Sequence, residues 1–359
     1  MKSTAPILVL DTPRTFSHLF GKFFDAHPDL DYYYRPYFQV ALNTSQELAD
    51  GIKTNFPTDC AHGDGSLAKA SQMTKDLKGT PAQATEDLLR RWSIAEQQVR
   101  VAMDGLKNNG LNGLLKGKQF FVQDHVWCIM AQEVMLSAFK DDRNADLKPW
   151  SSNPTHIPDS LLEVAQVVVL IRHPAKIVSS GAPVARDAIG LQPGDRDIFN
   201  MFTLRWARLM FDYLRSTGKK PIVVSGEDVV GNPGALLDAL SEALNLARGG
   251  LRVSWPLVSP EERPTGPMGP WLKRVSDSTG VERKIGQVSI RSSCAVHVDT
   301  LTQYQDESPN LDIDAEVRKW VKEFGQCDAD VLKAMVDADM PHYLYLERQK
   351  MRLSHAGRV

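Results

Sequence analysis

Cysteine, net charge and long apolar runs are all scarce in this chain. Only four cysteines occur in 359 residues, at Cys60, Cys128, Cys294 and Cys327, far apart and with no C-x-x-C pair. That spacing argues against a zinc knuckle and a disulfide scaffold and fits free thiols in a reducing compartment. Lys+Arg is 42 and Asp+Glu is 44, which leaves a formal net charge of −2. A generally basic nucleic-acid binder is therefore disfavoured, and any anionic ligand must be held by a few placed cations. No apolar run approaches the roughly 20 residues of a membrane span. The first apolar run, residues 7–10, is too short for a signal-peptide core and meets Asp11 and Arg14 at once, so we expect a first β-strand of a cytoplasmic protein. There is no G-x-x-x-x-G-K-[ST], which disfavours a standard NTPase, and neither H-E-x-x-H nor an acidic EF-hand loop suggests a metal.

What the chain does contain is 42% hydrophobic residues, ample for a core. Four short, nearly continuous β-branched runs stand out, at residues 6–10, 119–123, 164–171 and 221–224. Such runs suit strands buried on both faces. Helical patterns follow each one, at 17–27, 126–139, 175–180 and 233–246, and longer candidates cover 82–106 and 199–216. Strands alternating with helices predict an α/β protein with a central parallel sheet of four to five strands. Residues 141–158 and 255–270 read as long loops, which serve most often as lids or binding segments. Helical segments at 313–324 and 329–338 close the chain, so we expect a single domain over 1–359 with a helical C-terminal extension from about 300.

Two strand ends carry cations. After the first strand comes Pro13-Arg14-Thr15-Phe16-Ser17-His18, a turn that opens a helix. Unpaired helical N–H groups, a guanidinium and two hydroxyls together suit a phosphate. The same residues also fit an ordinary capped helix with Ser17 as N-cap and Arg14 on the surface. The third strand ends in Arg172-His173-Pro174, with Ser180 eight residues after the arginine. Ligands of open α/β sheets bind at such strand ends, although a strand-end salt bridge would equally explain Arg172.

In combination these motifs resemble the PAPS-dependent sulfotransferases, and more closely the divergent, P-loop-like fungal branch that includes natural-product enzymes. PAPS is an adenosine with a 3′-phosphate and a 5′-phosphosulfate. The resemblance spans residues 6–246, since residues 221–246 are similar to the family's strand, Glu-Asp and helix element. It implies transfer of a sulfonate from PAPS to a hydroxyl of a small-molecule acceptor, with PAP as product and no metal. Arg14, Thr15, Phe16, Ser17 and His18 would surround the 5′-phosphosulfate, and Arg172 and Ser180 the 3′-phosphate. His125, which follows the second matched strand, would be the general base, with Arg14 stabilising the departing charge. Asp124 would orient that base or cap the next helix.

The family's late R-K-G-x-x-G-x-W loop survives as Gly266-Pro267-Met268-Gly269-Pro270-Trp271, with Arg263, Lys273 and Arg274 as replacement cations. Tyr33 and Tyr34, within an aromatic run from Tyr32 to Tyr37, and Trp127 are candidate acceptor contacts. The chain departs from the family pattern at four places. Arg14 replaces Lys, Phe16 stands where Gly is usual, Gln123 replaces a Lys, and Gly226 replaces an aromatic. A crowded donor loop would also suit a scaffold repurposed for elimination or cyclisation, or an inactive anion- or nucleotide-binding module.

Overall fold

A computed structural model describes residues 5–36, 38, 118–131, 134, 150–264, 268–284, 287–292 and 311–353. Cys60, Cys294, Tyr37, the helical candidate 82–106 and residues 141–149 lie outside the described residues.

Five strands form one parallel sheet: β1 (Ile7–Asp11), β2 (Leu30–Tyr34), β3 (Gln119–His125), β4 (Gln166–Ile171) and β5 (Ile222–Ser225). Their order is β2-β3-β1-β4-β5, so the N-terminal strand is central. Four of these were expected. β2 is the addition: its sequence LDYYY has no β-branched residue and only its first residue is fully buried, as suits an edge strand. In β1 all five residues are buried, including Asp11. The register aligns Asp11 with His125 on one side and Leu170 on the other, bringing two polar residues together at the sheet's C-terminal edge.

Because successive strand residues face opposite ways, the sheet has two apolar faces. Leu8, Leu10, Phe120, Val122, Val167 and Val169 pack on one side, and Ile7, Val9, Phe121, Val168 and Leu170 on the other. Helices cover both. The chain passes through α1 (Ser17–Lys22), α2 (Val126–Ile129), α3 (Asp159–Val164), α4 (Pro174–Ile189), α5 (Arg196–Phe202) and α6 (Arg205–Ser216). It continues through α7 (Gly226–Gly231), α8 (Pro233–Ala243) and α9 (Met268–Ser276), then an antiparallel hairpin of β6 (Ser278–Lys284) and β7 (Gln287–Ser292). The C-terminal pair is α10 (Ile313–Phe324) and α11 (Gln326–Glu347). Trp206 in α6 packs on the first face and Phe20 in α1 on the second, both fully buried. Truncating either to Ala should cost about 3–5 kcal/mol.

Several helix limits differ from the sequence expectation for visible reasons. The single helix expected at 199–216 breaks at Thr203 and Leu204, because the Leu204 N–H and the Thr203 hydroxyl both donate to the Asp339 carboxylate of α11, at 2.9 and 2.6 Å. The helix expected at 175–180 runs on to Ile189, past Pro183, and stops at Gly190 with φ 73°. The 17–27 segment stays helical only to Lys22 before turning into β2. The 255–270 segment is not loop throughout, since α9 begins at Met268.

Candidate active site

Two groups of side chains meet at the C-terminal edge of the sheet. The first handles protons. His125, at the end of β3, has its Nδ1 2.6 Å from Oδ1 of Asp11. Asp11 is fully buried and also receives Arg35, whose guanidinium nitrogens lie 3.3–3.4 Å from both carboxylate oxygens. Arg35 donates a further hydrogen bond to Ser17 Oγ at 2.8 Å. Gln123 donates from Nε2 to Asp11 Oδ2 at 3.2 Å and to the Ser17 carbonyl at 2.7 Å, and accepts from the Tyr32 hydroxyl at 2.8 Å.

The charges follow from these contacts. Burial works to raise the Asp11 pKa, but Arg35 and His125 outweigh it and hold the carboxyl below its usual value. Burial and the Arg35 charge push His125 down to about 4, against the pull of Asp11. The imidazole is therefore neutral at pH 7. A carboxylate can only accept, so Nδ1 carries the hydrogen and Nε2 presents its lone pair. Phe38 meets the ring edge-on at 5.5 Å and Trp127 lies nearly parallel to it at 6.5 Å between centroids.

The second group holds two cations, Arg14 and Arg172, around the loop after β1. Arg14 donates from Nε to Ser180 Oγ at 2.8 Å and reaches the Trp271 carbonyl at 3.5 Å, its guanidinium 5.8 Å from the Trp271 ring centre. Arg172 follows β4 and donates from Nη1 to the Arg14 carbonyl at 3.0 Å. Its guanidinium lies 4.0 Å over the Phe16 ring. Its Nε is buried without a hydrogen-bond partner among the described residues, 3.7 Å from Glu227 Oε1. Three segments remote in sequence thus converge: the loop after β1, the start of α4, and α9.

The loop itself is unusual. Arg14 and Phe16 both adopt left-handed backbone, with φ of 72° and 62°. Each such non-glycine residue costs about 1–2 kcal/mol. Phe16 keeps the conformation a glycine would take freely, and its side chain lies beside Gly226. A Cβ on Gly226 would lie 2.9 Å from the Thr15 carbonyl and 3.1 Å from the Phe16 ring. Any residue larger than glycine at 226 would thus meet the loop backbone as well as the aromatic ring at 16.

The remaining sequence candidates are placed as follows. Thr15 is buried and turns its hydroxyl back to the Thr12 carbonyl at 2.7 Å. Ser17 is the first residue of α1, with Phe16 at the cap position. Half-buried His18 has its Nδ1 hydrogen-bonded to the Tyr34 hydroxyl. Tyr33 points to the opposite face, against Phe120 and Asp31, so Tyr33 and Tyr34 do not line one surface. Arg263 pairs with Asp277 at 2.8 Å, which Lys273 also engages at 2.6 Å. Asp124 neither orients the His125 ring nor caps α2; its carboxylate accepts from the backbone N–H groups of His125 and Phe38. The residues that sequence reasoning missed are Asp11 and Arg35. Their signal was present: a carboxylate ending a buried strand, and an arginine just after the next one.

Among the described residues no group of three or more His, Cys, Asp or Glu is placed to hold a metal ion, and no helix is long and apolar enough to cross a membrane. No protein-family model matches the chain. A comparison with curated proteins finds the sulfotransferase ppzF of Metarhizium majus (strain ARSEF 297), 22% identical over 262 residues, which cover 66% of this chain and 71% of that protein. With the all-parallel five-stranded sheet, that likeness supports a sulfotransferase-like family and a transferase-type enzyme.

Proposed function

We propose that this protein transfers a sulfonate group from PAPS to a hydroxyl of a small-molecule acceptor, in secondary metabolism. The observation that carries the reading is the juxtaposition, at one sheet edge, of a carboxylate-oriented imidazole and two arginines, Arg14 and Arg172, linked through Ser180 and the loop after β1. An anion suits this position: Arg172 Nε is buried without a hydrogen-bond partner among the described residues, and the carboxylate that pairs with it at 3.7 Å, Glu227, is 39% exposed. PAPS, when bound, supplies the sulfonate and a phosphate leaving group. Arg172 and Ser180 are assigned to the 3′-phosphate. Arg14 bridges from Ser180 toward the donor loop and stabilises charge that grows on the leaving side. Thr15 and Ser17 have their hydroxyls engaged internally, so they shape the loop around the 5′-phosphate and its backbone N–H groups do the binding.

His125 removes the acceptor proton through Nε2. A base with a pKa of about 4 is unprotonated throughout the neutral range, and Asp11 stabilises the imidazolium as it forms. Phe38 and Trp127 flank the imidazole and form the nearest aromatic surface for an acceptor.

Calorimetric titration with PAP tests the reading. Micromolar binding, weakened at least tenfold by Arg172→Ala, is the expected result. No binding, with turnover of a metabolite that His125→Ala abolishes, would point instead to elimination or cyclisation on this scaffold. Neither binding nor turnover would leave an inactive anion-binding module.

A further inference from the structure

The turn between α5 and α6 is held in place by a distant helix. Phe202, Thr203 and Leu204 form it, and all three are buried. Asp339 of α11, itself 4% exposed, accepts from the Thr203 hydroxyl at 2.6 Å and from the Leu204 N–H at 2.9 Å. The Thr203 hydroxyl in turn accepts from the Arg205 N–H at 3.0 Å. The first N–H groups of α6, which have no partner within their own helix, are thus satisfied with the help of α11. A cavity lies against this corner, with Pro174, Val178, Phe202, Thr203, Met335 and Asp339 in its lining. Open space leaves the corner without packing partners on that side, so its place depends on the hydrogen bonds to Asp339.

The corner also adjoins the parts that hold Arg14. The Thr203 carbonyl accepts from the Thr12 hydroxyl at 3.4 Å. The Thr12 carbonyl receives the Thr15 N–H at 3.3 Å and the Thr15 hydroxyl at 2.7 Å, across the loop that carries Arg14. The Phe202 ring lies directly over Gly181, where a Cβ would collide with it. Gly181 follows Ser180, whose hydroxyl accepts from Arg14 Nε. The same ring is 6.4 Å, centre to centre, from that of Trp271, whose carbonyl Arg14 also reaches. The loop after β1, α4 and α9 therefore meet on two adjacent residues, Phe202 and Thr203.

We propose that the Phe202–Thr203 corner is the seat on which Arg14 is oriented, and that Asp339 is a positioning residue that acts on the donor site through this corner. The proposal rests on the sulfonate-transfer reading. A guanidinium binds an anion in a defined direction, but its side chain is long and flexible, so the direction is set by its anchors. A shift of the corner changes the spacing between Ser180 and the Trp271 carbonyl, and the guanidinium turns with it.

Calorimetric PAP titration of the full chain, arranged as a double-mutant cycle, tests the proposal. Asp339→Ala should weaken PAP binding about tenfold. Asp339→Asn, which keeps an acceptor oxygen in place, should bring binding back to within about threefold of wild type. In an Arg14→Ala background, Asp339→Ala should cost less than about twofold. An equal loss with and without Arg14 overturns the proposal, because a general structural defect does not depend on Arg14. If Asp339→Ala fails to fold, Thr203→Val replaces it in the cycle, with an expected loss of about fivefold. The second readout needs no ligand. The 15N-labelled Arg14 Nε–H, identified with Arg14→Lys, should be ordered in the wild type and lose order in Thr203→Val. An unchanged signal in that variant overturns the proposal and leaves the sulfonate-transfer reading standing. No PAP binding by the wild type overturns that reading, while the Nε–H signal still decides whether the corner orients Arg14.

Discussion

Arg35 and Arg172 each follow a strand of the sheet and are both buried, each with an Nε that lacks a hydrogen-bond partner among the described residues, but their carboxylates differ. Arg35 is 1% exposed and is matched by a fully buried carboxylate, with a serine hydroxyl and a tyrosine ring completing its surroundings. Arg172 is nearly as buried, yet its hydrogen bond goes to a backbone carbonyl, its face to Phe16, and the carboxylate that pairs with it, Glu227, is 3.7 Å away and 39% exposed. A buried cation neutralised from within is part of the architecture. A buried cation whose carboxylate is longer-range and solvent-exposed can exchange that partner for a visiting anion. The difference separates what must be present for the protein to fold from what is placed for a ligand.

The comparison is broken most severely at Asp11. Asp11→Ala strands Arg35 in the interior and should cost about 3–5 kcal/mol in a denaturant titration. Adding Arg35→Met should return most of that loss, because the pair is removed together. If the double variant is no more stable than the single, Arg35 is not the reason Asp11 is needed.

Next in size is Arg172→Ala. It should weaken PAP binding by about 10–100-fold while lowering stability by only about 1 kcal/mol, the worth of a hydrogen bond and a cation–π contact. A loss of stability as large as that of Asp11→Ala would erase the distinction between the two arginines.

Smaller again is Gly226→Ala. Its Cβ would press on the Thr15 carbonyl and the Phe16 ring, so about 1–3 kcal/mol should be lost. In a Phe16→Gly background the ring contact disappears and the added cost should fall. An undiminished cost would place the collision on the Thr15 carbonyl alone.

The gentlest perturbation is pH. His125 and His342 both have folded pKa values of about 4, lowered first by burial and then by arginines. Depressed from about 6.5, they favour the fold while neutral. That contribution is complete above about pH 6.5 and is lost as pH falls toward 4. Asp339 works in the other direction. Burial raises it to about 7, so its contribution is complete below about pH 4 and is lost as pH rises through 7. Denaturation midpoints between pH 7.5 and 4.5 should fall with acid, and less steeply in His342→Gln. Turnover should hold to well below pH 6 and decline with an apparent pKa near 4; a decline centred at 6.5 would mean that His125 is more solvated than its contacts indicate.

Much of the framework was legible because parallel strands buried on both faces leave continuous apolar runs, as in PILVL and QVVVLI. β2 was not legible as a strand, since an edge strand needs only one apolar face and its tyrosines suggested a pocket. The break at Thr203 was hidden because the partner that ends the helix, Asp339, is 136 residues away. At the candidate site the single residues after strands could be named from sequence, but not their pairing. That Asp11 would meet His125 depends on β1 and β3 being neighbours in register, which is a property of topology and not of spacing. Phe16 and Gly226 looked like two separate departures until the loop and α7 were seen in contact.

The central place of β1 has a consequence for synthesis. The strand leaves the ribosome well before its partners β3 and β4, which begin at residues 119 and 166. At about 5–20 residues per second, an unpaired, largely apolar segment waits on the order of 5–30 seconds for its neighbours. Both of its edges stay open through that interval, a hazard for association between nascent chains. Yield in cells should therefore respond to translation speed and chaperone supply even where the finished protein is stable.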